Sequence, residues 1–424
     1  MVKKIFSTFA SNIFIGGLNL LIAILVSQIL GADGKGEQSI IITTIAMILL
    51  ACNIVGGTSL VYLVPRYDNK KIIILSYLWS FLVCALVYLI MLLIPYFNNE
   101  FILHISILTF FNSLISVNSM IVLGKEKIDA KNIISIVQTF SILFSLFFLF
   151  FIIKKSDIYT YIFSLYFSYI VTFLVSSYYL IKYIKINKVI EDIKESFFRC
   201  VFRLGFYNQL SHITQMVSLR LSYYLLLLYW IKDSVGIYSG AVALVESVWL
   251  ISKSIATVQY ARIANSDNTR YKQQITIKLL RSTLFFSVIL LLIMSLLPSA
   301  FYQFLFGKEF SDVNKLIILL SPGVFMYNIF LILGHYFSGN GKYNINTIAS
   351  FLGFIVTIIF CLILIPTQDY YGAAIAAVMS YLITSLYVII VFLKETKYRF
   401  VDLFPNKEDV KEYFNFIKNI RQLK

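Results

Sequence analysis

The chain has 424 residues, of which 59% are hydrophobic, 17% aromatic and only 13% charged, and its mean hydropathy is +0.83. A soluble fold of this length cannot bury so much apolar surface, so the composition excludes a soluble enzyme and predicts a polytopic membrane protein. The formal net charge of +15 does not indicate nucleic-acid binding, because no soluble domain remains to carry a groove-reading element.

The chain begins with Lys3 and Lys4 before an apolar run that is too long for a signal peptide and lacks an A-x-A cleavage site. We therefore expect a retained first helix. Runs of about 20 or more mainly apolar residues, each long enough to cross roughly 30 Å of hydrocarbon, recur twelve times. They lie near 5–30, 38–63, 71–96, 101–123, 132–153, 158–183, 204–230, 236–260, 275–297, 315–338, 344–366 and 371–394.

The distribution of Lys and Arg predicts the orientation, because positive loops are retained on the cytoplasmic side. With both termini in the cytoplasm, 28 of the 36 fall in cytoplasmic segments and two, Arg220 and Lys253, fall within the membrane. The remaining six are assigned to external loops: Lys35, Lys154, Lys155, Lys232, Lys308 and Lys315.

The sequence also looks doubled. Asp33, Gly36 and Ser39 are matched by Asp233, Gly236 and Ser239 at a constant offset of 200 residues. Residues 168–172 similarly resemble residues 380–384. Both halves start inside, so we predict two parallel six-helix repeats: an N-terminal lobe (1–184), a cytoplasmic linker (185–203), a C-terminal lobe (204–398) and a cytoplasmic tail (399–424).

An amphipathic helix is predicted in that tail. Asn406 is a suitable N-cap, and Glu408 and Asp409 occupy the first turn. Apolar residues then form a stripe opposite basic ones, a pattern typical of a helix at an anionic membrane surface. A solvated tail is the alternative.

Three charged residues lie far inside apolar runs: Arg220, Glu246 and Lys253. Ionised groups in a bilayer are costly and usually face a wet cavity or a partner. Arg220 and Glu246 are each 13 residues from Asp233, so antiparallel helices would place them at similar depth. Glu246 and Lys253, seven residues apart, would share one face of a continuous helix. Asn208, His212 and Gln215 form a polar stripe on the preceding helix.

Two interpretations of these residues remain open. In the first, Arg220 and Lys253 bind a phosphate-bearing substrate, with Glu246, His212 and Asn208 beside them. In the second, Arg220 and Glu246 form a static buried pair and Lys253 extends to the interface. Other membrane-embedded polar residues are explained by cavity lining or by hydrogen bonds between helices: Asn12, Asn19, Gln28, Asn53, Asn112, Asn118, Asn328 and His335.

Four motifs, in order along the chain, resemble those of the polysaccharide transporters in the multidrug/oligosaccharidyl-lipid/polysaccharide (MOP) exporter superfamily. Residues 29–36 (ILGADGKG) look like their L-G-x-x-x-x-G turn, and the other motifs are 236–240 (GIYSG), 338–342 (SGNGK) and 371–376 (YGAAIA). The resemblance implies an all-α protein of about twelve helices, in two lobes that form a V around a central cavity. It also implies a flippase that moves a polyprenyl-pyrophosphate-linked oligosaccharide across the bacterial inner membrane.

The implied substrate is a polysaccharide repeat unit, for example of O-antigen in lipopolysaccharide, on undecaprenyl pyrophosphate. Arg66 and Arg262, each ending the second span of its lobe, would gather phosphate at the cytoplasmic entrance or simply follow the positive-inside rule. No catalytic residue, metal site or cofactor is expected, since the four cysteines are widely spaced. Any energy input would come from a H+ or Na+ gradient, the membrane potential or substrate flux. The lipid bilayer and the polysaccharide polymerase machinery are the expected partners, and nucleic acid is not.

Two other functions remain. A cation-coupled multidrug exporter of the same superfamily is disfavoured because no Asp or Glu lies inside a predicted helix of the first lobe, where such proteins usually bind their ion. A membrane polymerase or ligase of sugars is less favoured, because the predicted external loops are short and nearly uncharged.

Overall fold

The computed structural model describes residues 2–57, 59–64, 67–93, 99–184, 197–264, 266, 268–406 and 409, and in this part of the chain the regular structure is entirely helical. The helices are α1 Val2–Gly56, α2 Ser59–Leu63, α3 Asn69–Leu93, α4 Asn99–Gly124, α5 Ile128–Phe147, α6 Ile158–Tyr183, α7 Phe197–Tyr229, α8 Lys232–Ser247, α9 Trp249–Ala264, α10 Thr269–Leu296, α11 Ser299–Phe306, α12 Val313–Gly339 and α13 Tyr343–Thr396. A π-helical turn, Phe148–Ile152, extends α5, and short 3₁₀ turns cover Lys308–Phe310 and Phe400–Leu403.

Eight helices in the described ranges are long and apolar enough to cross a bilayer, and the bent pair α8–α9 makes a ninth candidate. Two of the eight, α1 and α13, contain one residue with a non-helical backbone, Gly31 (φ 69°) and Asp369 (φ 51°). Each therefore joins two membrane-length helices. The prediction of an all-α polytopic membrane protein is confirmed, and the number of twelve spans stays a prediction.

The connection at Gly31 is shorter than predicted. We expected a turn over residues 31–37, but the helix resumes directly after Gly31, because glycine adopts a positive φ without steric cost. Lys35, assigned to an external loop, is therefore helical and only 5% exposed. Glu37 also lies inside a helix, where it pairs with Lys232. The expectation of no acidic residue within a first-lobe helix was wrong.

The chain forms two compact units, Met1–Gly236 and Ile237–Lys424. The first includes α7, which the sequence prediction placed in the second lobe. Within this unit α7 packs on α1, where a hydrogen bond of 2.9 Å joins Thr44 to Tyr224. Residues 197–203, predicted as linker, form the first turns of α7, whereas residues 185–196 lie outside the described part of the chain.

The first unit combines an apolar core with buried polar bonds between helices. The core draws on α1 and α3–α6 and includes Val26, Leu108 and Leu165. Asn118 on α4 is fully buried, accepts a hydrogen bond from the Tyr77 hydroxyl (2.7 Å) and donates one to Ser176 (3.1 Å). Asn53 and Asn112 likewise accept bonds from Ser116 and Gln138, at 3.0 Å each. For these residues the prediction of interhelical hydrogen bonding is confirmed.

The second unit is built around α12. Trp249 at the start of α9 is 1% exposed and packs on Tyr327 and Tyr381, with ring centroids at 4.6 and 5.5 Å. Asn328 on α12 accepts a hydrogen bond from Ser252, so it too has an interhelical role. These contacts fix the first turn of α9 against the unit's core.

The chain after α13 returns to α10. Arg281 on α10 donates to the Asp402 carbonyl (2.9 Å) and pairs with Asp409 (3.0 Å). Asn406 and Asp409 each accept a hydrogen bond from the other's backbone N–H, at 2.7 and 2.9 Å, which is a capping arrangement. Asn406 thus caps the turn as predicted, while residues 410–424 of the predicted amphipathic helix lie outside the described residues.

Candidate functional site

Arg220 lies on α7 in the first unit and is partly buried. Its guanidinium donates a hydrogen bond of 3.2 Å to the Tyr223 hydroxyl and sits 5.3 Å from the centroid of that ring. A cation at this distance from an aromatic face is attracted by the ring quadrupole. The guanidinium is thus oriented by Tyr223, three residues further along the same helix.

Lys35 on α1 is a second cation in the neighbourhood of Arg220, close enough for the two charges to repel each other. Its ammonium donates a 2.5 Å hydrogen bond to the side-chain oxygen of Gln38, one turn later. The sequence prediction did not identify Lys35, because it assigned residues 31–37 to a loop. The signal available was Gly31 itself, since one glycine can connect two helices without a loop.

Lys253 on α9 is an accessible cation in the second unit. Its side chain is exposed, and its ammonium lies 5.7 Å from the centroid of the Trp249 ring one turn earlier. Trp249 is itself fixed, because its indole N–H donates to the Val324 carbonyl (3.3 Å) and its ring is buried. The Lys253 ammonium therefore lies beside a fixed aromatic ring and remains accessible.

Glu246 and Lys253 do not share one continuous helix. α8 ends at Ser247, α9 begins at Trp249, and the two helices are bent by 41° at this break. The single continuous helix that we predicted for the two residues is therefore absent, while the alignment of their side chains stays a prediction. Glu246 is partly buried in the second unit, and its predicted pairing with Arg220 stays a prediction.

The other predicted site residues are placed less completely. His212 on α7 is exposed, and Arg262 is exposed in the last turn of α9. Asn208 lies within α7 with its side chain outside the description, and Arg66 is outside the described residues. Among the predicted site residues in the described part of the chain, Lys253 is thus the one whose charge is exposed and lies beside a buried aromatic ring.

Cations held within membrane-length helices are suited to bind anions. Arginine offers a planar fork of donors that matches phosphate oxygens, and lysine offers a compact charge.

A family model described as "Polysaccharide biosynthesis protein" matches residues 1–260 and 254–420. The chain belongs to this family. Among curated relatives, the capsular polysaccharide biosynthesis protein CapF of Staphylococcus aureus is 27% identical over 152 residues. That match spans 35% of this chain and 38% of the relative, so the chain covers less than half the length of this family relative.

Solved transporters share the fold. An inward closed structure of the lipid II flippase MurJ aligns with a TM-score of 0.77 at 18% identity, covering 94% of this chain and 89% of that one. An inward-facing multidrug resistance MATE transporter of the MOP superfamily aligns with a TM-score of 0.67 at 14% identity, covering 90% and 96%. The fold implied by the resemblance of the sequence motifs to the MOP superfamily is confirmed.

Proposed function

We propose that this protein is a flippase that moves a polyprenyl-pyrophosphate-linked oligosaccharide, a polysaccharide repeat unit, from the cytoplasmic to the outer leaflet of the bacterial inner membrane by alternating access. The observation that carries the proposal is Lys253: an exposed cation on the bent pair α8–α9, which together is long and apolar enough to cross a bilayer, in a polysaccharide biosynthesis family member. A charge in that position is suited to an anionic head group that must pass through the membrane. The fold shared with the lipid II flippase MurJ supports the same mechanism.

The residues have distinct roles in this proposal. Arg220 binds the pyrophosphate through its planar fork of donors, with Lys35 adding positive charge beside it, and Lys253 supplies a point charge. Glu246 compensates cationic charge when the substrate is absent, while Arg66 and Arg262 attract phosphate at the cytoplasmic entrance. The polyprenyl chain remains in lipid during transport.

No cofactor enters the proposal. Energy comes from a H+ or Na+ gradient, the membrane potential or the removal of substrate on the outer side. The proposed partners are the lipid bilayer, the lipid-linked oligosaccharide and the polysaccharide polymerase machinery that consumes it. Both termini lie in the cytoplasm in this arrangement, which follows from the distribution of Lys and Arg.

The test is mass spectrometry of lipid extracts from cells that lack the protein and carry either the wild type, Arg220→Ala or Lys253→Ala. We expect a complete polyprenyl-pyrophosphate oligosaccharide to accumulate in the null strain and in both variants. Lys315→Ala is the matched control, because Lys315 in the first turn of α12 is 68% exposed and pairs with Asp312 three residues earlier. Normal lipid levels in well-expressed Arg220→Ala and Lys253→Ala cells would contradict the assigned roles.

A cation-coupled multidrug exporter is the second candidate, because MATE transporters share the fold. The expected lack of acidic residues in the helices of the first lobe was an argument against this candidate. Glu37 on α1 removes that argument, but Glu37 already pairs with Lys232. In the same strains, this candidate predicts normal lipid extracts and increased sensitivity to cationic compounds when the protein is absent.

A further inference from the structure

Helix α9 exposes one polar stripe in the second unit. Lys253, Thr257 and Tyr260 are exposed, whereas Ser254, Ala256 and Gln259 between them are buried. Their spacing of four and three residues places the exposed side chains on one side of the helix. The stripe runs from the buried Trp249 toward the C-terminal end of α9.

The stripe is suited to water and not to lipid. On α3, whose exposed positions include Leu78, Leu82 and Leu86, the accessible surface is aliphatic, as a lipid-facing helix requires. A lysine facing hydrocarbon costs about 2.5 to 3.5 kcal/mol on insertion scales. The side of α9 that carries Lys253, Thr257 and Tyr260 is therefore suited to contact water and a polar substrate.

The Tyr260 ring is supported from α12 while remaining 37% exposed. His335 meets it edge to face, with ring centroids 6.3 Å apart and planes at 85°, and the His335 Nδ1 lies 2.7 Å from the Leu331 carbonyl. One turn further along α12, a Cβ on Gly339 would come within 2.8 Å of Ile263. Helices α9 and α12 are therefore in close contact here, and the Tyr260 ring packs against α12.

We propose that Tyr260 is a sugar-stacking residue that recognises the first sugars of the lipid-linked head group. This inference rests on the proposed function. The face of an aromatic ring carries partial negative charge and attracts the weakly positive C–H face of a sugar. Tyr260 lies seven residues from Lys253, roughly 10 Å along the helix, so a head group whose phosphate meets Lys253 can place a sugar over the ring.

Thr257 fits between the two contacts. Its hydroxyl donates to the Lys253 carbonyl at 2.8 Å, so its lone pairs remain as acceptors for a sugar hydroxyl. The stripe thus presents a cation, a hydrogen-bond acceptor and an aromatic face in order. Lys253 acts on any polyprenyl pyrophosphate, whereas Tyr260 acts only when sugars are attached.

Because Lys253 and Tyr260 are assigned to different parts of the lipid, binding of two lipids tests the proposal. Purified protein in lipid nanodiscs is titrated with polyprenyl pyrophosphate alone and with the glycosylated lipid isolated from cells that lack the protein. Tyr260→Ala should weaken binding of the glycosylated lipid by about threefold to tenfold, the equivalent of one aromatic contact, and leave binding of the bare lipid unchanged. Tyr260→Phe and Tyr260→Trp should retain the wild-type affinity, since both keep the aromatic face.

Binding of the bare lipid shows that each variant is folded. Tyr271→Ala, at an exposed tyrosine in the first turn of α10, is the matched control and should behave as wild type. If Tyr260→Ala weakens both lipids equally or neither, the stacking role is overturned while the proposed function stands. If the wild type binds neither lipid, the proposed function itself is overturned.

Discussion

Gly36 and Gly236 each lie against the backbone of the helix that carries the other. A Cβ atom on Gly36 would overlap the carbonyl oxygen of Lys232, and one on Gly236 would overlap that of Ala32. In both cases the carbonyl met belongs to the residue four positions before the other glycine. The contact is therefore reciprocal, as expected where two copies of one motif cross, and these are the glycines that the offset of 200 residues pairs in the sequence.

Replacement of either glycine should separate α1 from the start of α8. In an ordinary helix Gly→Ala stabilises by roughly 0.5 to 1 kcal/mol, but at Gly36 the added methyl group meets backbone that cannot rotate away. We expect Gly36→Ala to lower the thermal unfolding midpoint of the detergent-solubilised protein. At Gly17, where a Cβ would meet nothing within 4 Å, Gly17→Ala should leave the midpoint unchanged or raise it. An equal rise in both variants would show that the crossing is not tight.

The class of this fold could be predicted from composition and hydropathy, because length and apolarity alone determine whether a segment can cross a bilayer. The helix boundaries around Gly31 could not. A G-x-x-G-x-G sequence is typical of a loop, and only packing against Lys232 and Gly236 shows that residues from Ala32 onward are helical. The burial of Lys35 follows from that packing and was missed with it.

Asp157 gives a pH-dependent contribution to stability. It caps α6 by accepting hydrogen bonds from the Thr160 backbone N–H (2.7 Å) and hydroxyl (2.6 Å). The bond from the Thr160 side chain, followed by the backbone bond and the charge of Lys155, lowers the pKa of the Asp157 carboxyl despite some desolvation. A lowered pKa in the folded state means that the carboxylate stabilises the fold at neutral pH and that this stabilisation is lost as pH falls through that pKa.

Asp157→Ala should therefore cost about 0.5 to 2 kcal/mol at pH 7. Asp157→Asn retains an acceptor and should cost less, and its deficit relative to wild type should shrink as pH falls below about 4, the ordinary range of an Asp carboxyl. Unfolding midpoints measured from pH 3 to pH 8 test this. A deficit that is the same at every pH would show that the cap stabilises α6 through its shape and not through the charge of the carboxylate.

Asn118 should contribute to stability and not to transport. Asn118→Leu removes the bonds of the fully buried Asn118 to Tyr77 and Ser176, so that both hydroxyls lose this partner. We expect a loss of about 1 to 2 kcal/mol in the free energy of unfolding, measured by titration with SDS from mixed micelles. Asn19, which is exposed on α1, is the matched control, and Asn19→Leu should have little effect on the same titration.

Arg281 should hold the segment after α13 in place. Arg281→Ala removes both the bond to the Asp402 carbonyl and the ion pair with Asp409. Amide hydrogen exchange in residues 400–406, which include the buried Leu403, should then increase several-fold. Arg399→Ala is the comparison, because Arg399 is 86% exposed and 3.9 Å from Asp402. Similar exchange in both variants would show that α10 does not anchor this segment.

The candidate site was only partly predictable from the sequence. Arg220 and Lys253 were found because charge inside an apolar run is rare and therefore informative. The break between the helices that carry Glu246 and Lys253 was not predicted. The 41° bend between α8 and α9 falls at Val248, where no proline or glycine indicates it. Tyr260 was missed for a different reason: tyrosine is common in this chain, which has 29, and only exposure distinguishes one from another.

The single-residue connection at Gly31 makes the length of this region a fixed quantity. One residue inserted between Gly31 and Gly36 would rotate the rest of the helix by about 100° relative to the residues before it. Thr44 would then turn away from Tyr224 on α7, with which it shares a hydrogen bond. A similar insertion between α5 and α6, near Lys154, would only lengthen an irregular connector. Small in-frame insertions and deletions should therefore accumulate in the second region during divergence and be eliminated in the first.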